Sequence, residues 1–216
     1  PGSADGPGAS ATFNFPSGVA VDSEGNVYVS DQENRLIRKI TSAGVVSTVA
    51  GTLGVSDYVD ATGTAAAFSE MSGLVVGVDG NVYIADYGNA TVRKVTKSTG
   101  VISTVAGVGY SIYGAAPGDG GPATKAFLSQ PYSLGFDGAG NLYIGDIGTS
   151  SIRKIGKDGV INTYVTNFVA QNFAVDAAGV IYVAEYRTNT VQKVLPGGTR
   201  LWIGGNGSAG ILGVSG

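Results

Sequence analysis

Hydrophobic residues in this chain occur in short runs that alternate with polar residues, and most runs end at glycine, aspartate or asparagine. Residues 18–22 read Gly-Val-Ala-Val-Asp, residues 26–30 read Asn-Val-Tyr-Val-Ser, and residues 36–41 read Leu-Ile-Arg-Lys-Ile-Thr. Runs of this length and composition between turn-forming residues are typical of β-strands. Gly25 and Gly44 stand where hairpin turns are expected, since glycine readily adopts positive φ. The pattern predicts an antiparallel meander of four strands and no helix.

The same pattern occurs four times, each time centred on a tyrosine. The four contexts are Gly-Asn-Val-Tyr-Val-Ser-Asp at Tyr28, Gly-Asn-Val-Tyr-Ile-Ala-Asp at Tyr83, Gly-Asn-Leu-Tyr-Ile-Gly-Asp at Tyr143 and Gly-Val-Ile-Tyr-Val-Ala-Glu at Tyr182. Repeated four-stranded meanders are the signature of a β-propeller, in which each meander is one blade. The sequence therefore predicts an all-β fold, a β-propeller of four four-stranded antiparallel blades. These form a single domain over residues 1–216, with blades at about 13–51, 68–107, 128–166 and 169–205.

These motifs resemble the NHL repeat. The resemblance rests on Phe-x-x-Pro-x-Gly-Val-Ala-Val-Asp at 13–22, the Gly-Asn-Val-Tyr motif, Ile-Arg-Lys-Ile at 37–40 and Ser-Thr-Val-Ala-Gly at 47–51. The segment Gly-Asp-Gly-Gly-Pro-Ala at 118–123 is similar to linkers of extracellular and bacterial NHL arrays. The resemblance implies the propeller fold. It leaves the activity open, because NHL propellers serve in RNA binding, protein binding, receptor ectodomains and one lyase chemistry.

Two arrangements of the blades fit the sequence. A closed four-blade ring is favoured; the alternative is an open four-blade array that completes a larger ring by oligomerisation, since many NHL propellers have six blades. Long linkers at residues 51–67 and 107–127 separate the first three copies, whereas the last two copies are almost contiguous. Residues 1–12 and 204–216 together have the composition of one more linker, so the termini are expected to interrupt a linker.

Composition and charge narrow the chemistry. Among 216 residues there are 36 glycines, no histidine and no cysteine, and the net charge is −3. A zinc site of the usual kind, a cysteine nucleophile and a histidine general base are thereby excluded. The NHL-type amidating lyases implied by the resemblance use metal-binding histidines, so that activity is excluded too. We therefore expect no enzyme, no metal and no cofactor, with a carboxylate-based hydrolase or lyase the least favoured reading. Nucleic acid is not an expected partner of an acidic chain.

The loops that join strand two to strand three share one face of a propeller with the linkers between blades, and aromatic and acidic residues on such loops suit ligand binding. The predicted ligand-binding residues are Asp57, Tyr58, Asp60, Tyr87, Tyr110, Tyr113, Asp119 and Tyr186. The expected function is a non-catalytic recognition or adhesion module for a glycan or a protein. The alternative is a homo-oligomeric structural subunit of a filament or coat.

We expect an extracellular or secreted location, periplasmic or cell-surface in a bacterium, without membrane insertion. The sequons at Asn89 and Asn206 are candidate glycosylation sites.

Two repeated features are assigned structural roles. The equivalent tyrosines Tyr28, Tyr83, Tyr143 and Tyr182 are expected to pack between blades. The arginine ten residues after the tyrosine is expected to pair with the carboxylate that begins its blade, Asp22 with Arg38 and Asp137 with Arg153.

Overall fold

The computed structural model describes residues 1–110, 118–185 and 187–208. Blade 1 comprises β2 (Pro16–Val21), β3 (Val27–Asp31), β4 (Leu36–Ile40) and β5 (Val45–Ala50), preceded by the short β1 (Gly6–Pro7). Blade 2 comprises β6 (Met71–Val76), β7 (Val82–Asp86), β8 (Thr91–Val95) and β9 (Ile102–Ala106). Blade 3 comprises β11 (Pro131–Phe136), β12 (Leu142–Asp146), β13 (Ser151–Ile155) and β14 (Val160–Thr166), preceded by the short β10 (Gly121–Pro122). Blade 4 comprises β15 (Phe173–Val175), β16 (Ile181–Glu185), β17 (Thr190–Val194) and β18 (Arg200–Gly204).

Each blade is an antiparallel sheet whose strands pair in chain order, so the predicted fold class is confirmed. The short strands β1 and β10 lie in the segments that precede blades 1 and 3, and each adds to the outermost strand of its blade. The helical segments of the described chain are single 3-10 turns at Gln32–Asn34, Gly63–Ala65, Tyr87–Asn89, Ala123–Lys125 and Ile147–Thr149. None of the described helices has the length and apolar character needed to cross a membrane.

The hydrophobic core lies between the blades rather than within them. Tyr28 and Ile37 of blade 1 pack against Phe68, Met71 and Leu74 of blade 2, and corresponding clusters join blade 2 to blade 3 and blade 3 to blade 4. A β-sheet gains most of its stability by burying one apolar face, so each junction holds two blades together.

The prediction that the equivalent tyrosines pack between blades is confirmed at the junctions. Tyr28 and Tyr143 are buried in interblade clusters, and the half-buried Tyr83 packs against the cluster between blades 2 and 3. Tyr182 is half-buried and belongs to none of the interblade clusters formed by the described residues.

The blades form an open arc. Among the described residues, the innermost strands β2, β6, β11 and β15 pack on one another in sequence, and no core cluster joins blade 4 to blade 1. The favoured closed four-blade ring is therefore wrong, and the open array is the observed arrangement. Met71 and Leu74 fill the junction of blades 1 and 2 next to the innermost strand.

Candidate functional site

A fully buried arginine lies in each of the first three blades, but its partners differ from those predicted. Arg38 donates to Asp31 at 2.8 Å and to Asp5 at 2.7 Å. Asp22 does not contact it, because Asp22 lies in the hairpin at the other end of β2, whereas Asp31 ends β3 beside the Arg38 side chain. The predicted pairing of Asp22 with Arg38 is wrong.

Blade 2 repeats this arrangement, and blade 3 repeats the contact with a linker carboxylate. Arg93 donates to Asp86 at 3.0 Å and to Asp60 at 2.6 Å. Arg153 pairs with Asp119 at 2.7 Å, so its predicted pairing with Asp137 is also wrong. In each case one carboxylate comes from the preceding linker, and this ion pair fastens the linker to the blade.

Two of the predicted ligand-binding residues, Asp60 and Asp119, are these linker carboxylates. Asp60 also accepts the Thr104 N–H at 2.9 Å, and Asp119 accepts the Thr163 N–H at 2.9 Å. Burial acts to raise the pKa of Asp119, but the hydrogen bond from Thr163 and the charge of Arg153 outweigh it and lower the pKa. The contacts of both carboxylates are those of structural residues.

A second carboxylate cluster closes the first hairpin of each blade. Asp22 accepts hydrogen bonds from the Asn26 amide and from the Tyr28 hydroxyl, and Lys97 of blade 2 donates to it at 3.2 Å. Blade 2 has Gly77 at the position of Asp22, yet the cluster persists there. Asp79 replaces the missing carboxylate and accepts a hydrogen bond from the Tyr83 hydroxyl at 2.9 Å.

These tyrosines make stability sensitive to alkaline pH. Burial, with the neighbouring carboxylate, raises the pKa of Tyr83 and Tyr143 well above the ordinary value. Because the folded-state pKa lies above the unfolded value of about 10, these tyrosines stabilise the native state at pH values up to about 10. This stabilisation is lost as the pH rises toward the folded-state pKa. We expect the protein to unfold cooperatively above about pH 10. Circular dichroism and tyrosinate absorbance, recorded together, measure this transition. The Tyr143→Phe substitution should make the loss of stability with rising pH less steep. If all tyrosines titrate near pH 10 while the circular dichroism spectrum stays native, the prediction is contradicted.

The loop face carries a polar and aromatic cleft, which we call the loop-face cleft. It has a volume of about 230 Å³ and lies where the loops after β3 and β7 approach the beginnings of β6 and β11. The antiparallel meander brings these segments to one face because alternate connections lie at the same end of the blade. Its lining residues are Gln32, Glu70, Met71, Ser72, Tyr87 and Tyr132.

Tyr87 is held in place within this cleft. Its hydroxyl accepts a hydrogen bond from the Gln130 amide at 2.7 Å, and its ring packs edge-on against Tyr132 with 6.1 Å between the centroids. The side chain of Glu70 is exposed, while its backbone carbonyl accepts the Gly88 N–H. The cleft therefore presents a carboxylate beside two oriented aromatic rings.

The predicted ligand-binding residues do not gather at one place. Tyr87 lines the loop-face cleft. Tyr58, in the linker before blade 2, packs against the outermost strand of that blade, with its hydroxyl 2.9 Å from the Thr104 hydroxyl and the Arg93 guanidinium 5.0 Å from its ring centre. Tyr110 is exposed and packs edge-on against Phe127. The exposed Asp57 accepts a hydrogen bond from Asn89 through its backbone carbonyl. Tyr113 and Tyr186 lie outside the described residues.

Sequence reasoning missed Gln32, Glu70 and Tyr132, which share the cleft with Tyr87. A signal was available: the residues that begin the innermost strands differ between copies while the strands themselves repeat. Phe15 and Glu70 occupy equivalent positions there.

The two sequons differ in their surroundings. The Asn89 Nδ2 atom, to which a glycan would be attached, donates to the Asp57 carbonyl at 2.9 Å and to Asp86 at 2.8 Å. Asn206 is exposed. Of the two, Asn206 is the more accessible.

A larger groove of about 590 Å³ lies between blades 2 and 3 at the opposite face. Tyr83, Val105 and Phe136 form its apolar lining, and Lys94 and Lys157 stand at its polar edge. The corresponding junction of blades 3 and 4 is filled by Tyr164, which packs against Tyr143. Among the described residues, no cluster of acidic side chains has the geometry of a metal site.

Comparison with known proteins identifies relatives of this fold. The family model for the NHL repeat matches residues 13–40. The chain is 31% identical over 105 residues to Protein SUPPRESSOR OF QUENCHING 1, chloroplastic, from Arabidopsis thaliana, covering 48% of the chain and 10% of that protein. It is 31% identical over 105 residues to NHL repeat-containing protein 2 from Bos taurus, covering 47% of the chain and 14% of that protein. The chain thus spans only a small part of these relatives.

Among solved structures, virginiamycin B lyase from Staphylococcus aureus superposes with a TM-score of 0.59 at 17% identity. The match covers 87% of this chain and 54% of the lyase. At this identity the likeness concerns the fold alone.

Proposed function

Because this chain belongs to the NHL-repeat β-propeller family, we propose that it is a non-catalytic recognition module that binds a partner protein through its loop face. The observation that carries the proposal is the loop-face cleft, where Glu70 and Tyr87 of blade 2 meet Tyr132 of blade 3. Loops on a rigid scaffold are the usual place for binding residues, and tyrosines are enriched where proteins recognise one another.

The chemistry of the cleft favours a basic side chain of the partner. The cleft volume of about 230 Å³ is below the usual range for small-molecule pockets. The Glu70 carboxylate can accept charge-assisted hydrogen bonds, and the rings of Tyr87 and Tyr132 can stack on a cation. An arginine or lysine from an exposed segment of the partner meets both requirements.

Selection from a displayed library of random peptides tests this proposal. We expect peptides with arginine or lysine to be enriched. Their affinity for the Tyr87→Ala variant should be lower by about tenfold or more, which corresponds to about 1.4 kcal/mol of binding free energy. Glu70→Gln should weaken basic peptides selectively. Trp202→Ala, which removes an exposed aromatic side chain from the outermost strand of blade 4, serves as the matched control and should leave binding unchanged.

A glycan array screened in parallel decides between ligand classes. Saturable glycan binding that depends on Tyr87, without peptide enrichment, would replace a protein partner by a carbohydrate. Peptides that bind equally well to the Tyr87→Ala and Glu70→Gln variants would overturn the role of the cleft.

An extracellular location and an adhesive role are part of this proposal, supported by the exposed sequon at Asn206. A structural subunit of a larger assembly is the second candidate function. One observation favours it: apolar side chains are exposed at both ends of the arc, on Val19 of blade 1 and Val191 of blade 4.

A further inference from the structure

The groove of about 590 Å³ between blades 2 and 3 lies at a junction that has a small residue where the next junction has a large one. Val105 and Tyr164 occupy equivalent positions, each directly after the threonine whose N–H contacts the linker carboxylate. The Tyr164 side chain spans its junction, and its hydroxyl donates to the Leu195 carbonyl of blade 4 at 3.1 Å. The shorter Val105 does not reach across, so the space between blades 2 and 3 stays open. We call this space the interblade groove.

At the junction of blades 1 and 2, a lysine crosses to the carboxylates of the preceding blade. Lys97 donates to Asp22 at 3.2 Å and to Glu24 at 2.7 Å. Lys157 occupies the equivalent place in blade 3, but Gly77 stands in blade 2 at the position of Asp22. In the part of the chain that the structure describes, Lys157 has no ion-pair partner, and its side chain lines the interblade groove.

A second lysine of the groove lacks the contact that its equivalents make. In the other three blades the equivalent lysine lies over the tyrosine of its own blade, with 5.9, 5.3 and 5.6 Å from the ammonium to the ring centre for Lys39, Lys154 and Lys193. Lys94 pairs in register with Tyr83, but its ammonium does not lie over that ring. The Tyr83 ring instead packs edge-on against Phe136 of blade 3, with 4.9 Å between the centroids. Within residues 1–110, 118–185 and 187–208, Lys94 also has no ion pair, so its charge is available to the groove.

We propose that the interblade groove binds a small molecule with an apolar body and one carboxylate, as a free fatty acid has. The carboxylate lies toward Lys94 and Lys157, whose ammonium groups can donate charge-assisted hydrogen bonds. The apolar body packs on Val105, Phe136 and Leu142 and is stabilised by leaving water. A volume of about 590 Å³ and an apolar lining with a few polar groups are usual for small-molecule sites.

The charge of the groove favours a single anionic group. Asp79 also lines the groove. Burial acts to raise the pKa of Asp79, but hydrogen bonds from Asn81 and Tyr83 outweigh it and lower the pKa, so this carboxylate is ionised at neutral pH. Two ammonium groups and one carboxylate leave the groove with one positive charge, which matches a monoanion. A polyanion such as nucleic acid would be repelled by Asp79 and by a chain of net charge −3.

Isothermal titration calorimetry of the full chain with decanoate tests the proposal. We expect saturable binding of one decanoate per chain, and binding of decanol, which has the same chain length without the charge, that is weaker by about tenfold or more. Lys94→Met keeps an unbranched side chain but removes the ammonium, and should weaken decanoate binding by about tenfold or more. Lys39→Met is the matched control and should leave the affinity unchanged, because Lys39 lies over Tyr28 in blade 1.

Val105→Tyr tests the location of the site. This change gives blade 2 the residue that blade 3 has at the equivalent position, where Tyr164 fills the junction. We expect the variant to keep the circular dichroism spectrum of the unmodified protein and to lose decanoate binding, since the added ring occupies the groove.

Three results would overturn the proposal. If decanoate does not bind the unmodified chain saturably, the groove is not a site for this class of ligand. If decanol binds as tightly as decanoate, the groove takes apolar molecules without recognising an anion. If decanoate binds the Lys94→Met and Val105→Tyr variants as tightly as the unmodified chain, its site lies elsewhere on the molecule.

Discussion

Replacing Arg93 by methionine is expected to destabilise the protein by about 3–5 kcal/mol, the usual cost of removing one partner of a buried ion pair. The Arg93 and Asp86 side chains are both 0% exposed and lie 3.0 Å apart. Without the guanidinium, Asp86 keeps its hydrogen bonds from Ser69 and Asn89 but no cation balances it. Burial already raises the pKa of Asp86, so the variant has either an uncompensated charge or a protonated acid.

Chemical denaturation measures the effect, and the other carboxylate partner of Arg93 supplies the control. Asp60 is 43% exposed, so the Asp60→Asn variant should lose only about 1 kcal/mol, as expected for a partly solvated pair. Blade 4 provides a natural comparison, since Gln192 replaces the arginine and donates to Thr190. Equal losses for Arg93→Met and Asp60→Asn would contradict the importance of burial.

The arginine partners mark a limit of sequence reasoning. The repeat identified Arg38 as a structural residue, and it is fully buried. Two carboxylates, Asp22 and Asp31, lie in the same repeat, and spacing along the chain does not tell which one the side chain reaches. The partner from the linker, Asp5, is 33 residues away, so only the folded chain brings it to Arg38.

The fold itself was predictable because strand pattern, turn glycines and repeat agree at every blade. That the arc is open was not predictable from the sequence, because the angle between blades depends on how side chains such as Met71 and Leu74 fill a junction. Substitutions that compensate one another are also invisible in a repeat alignment. Gly77 breaks the pattern set by Asp22, and Asp79 restores the same contacts from two residues further on.

Of the loop-face cleft, the sequence predicted the face and one lining residue, Tyr87. Tyr87 was identified because it lies in a loop between strands, where variation is expected. Glu70 and Tyr132 lie at or next to the beginning of the innermost strands, and these strands converge only in the folded arc. The sites most dependent on three-dimensional convergence are thus the ones that one-dimensional spacing misses.

Replacing Gly107 by alanine is expected to cost about 3 kcal/mol or more, combining strained backbone with a steric clash. Gly107 follows the outermost strand of blade 2 with a φ of 89°. An added Cβ would lie 2.3 Å from the Ala90 carbonyl oxygen and 2.9 Å from the Thr91 Cα. Because both neighbours are backbone atoms, no side-chain rotation can relieve the contact.

The same close approach recurs in blades 1 and 4, whereas blade 3 has Asn167, with a φ of 57°, after its outermost strand. Gly51 and Gly205 follow the outermost strands of blades 1 and 4, and a Cβ at either would lie 2.2 Å from the carbonyl oxygen of the residue after the loop between strands two and three. That residue, Arg35 in blade 1, itself has a positive φ of 61°, which turns its carbonyl toward the glycine. The conformation of the left-handed residue and the need for glycine at the end of the outermost strand therefore depend on each other.

Gly80→Ala separates strain from clash. Gly80 has a φ of 75°, but nothing lies within 4 Å of an added Cβ, so this change should cost only the left-handed strain of about 1–2 kcal/mol. Thermal unfolding resolves the two variants, because each kcal/mol shifts the midpoint by about 2–4 °C in a chain of this size. If Gly107→Ala and Gly80→Ala lower the midpoint equally, the backbone contact with Ala90 does not limit this position, and glycine is needed there for its φ alone.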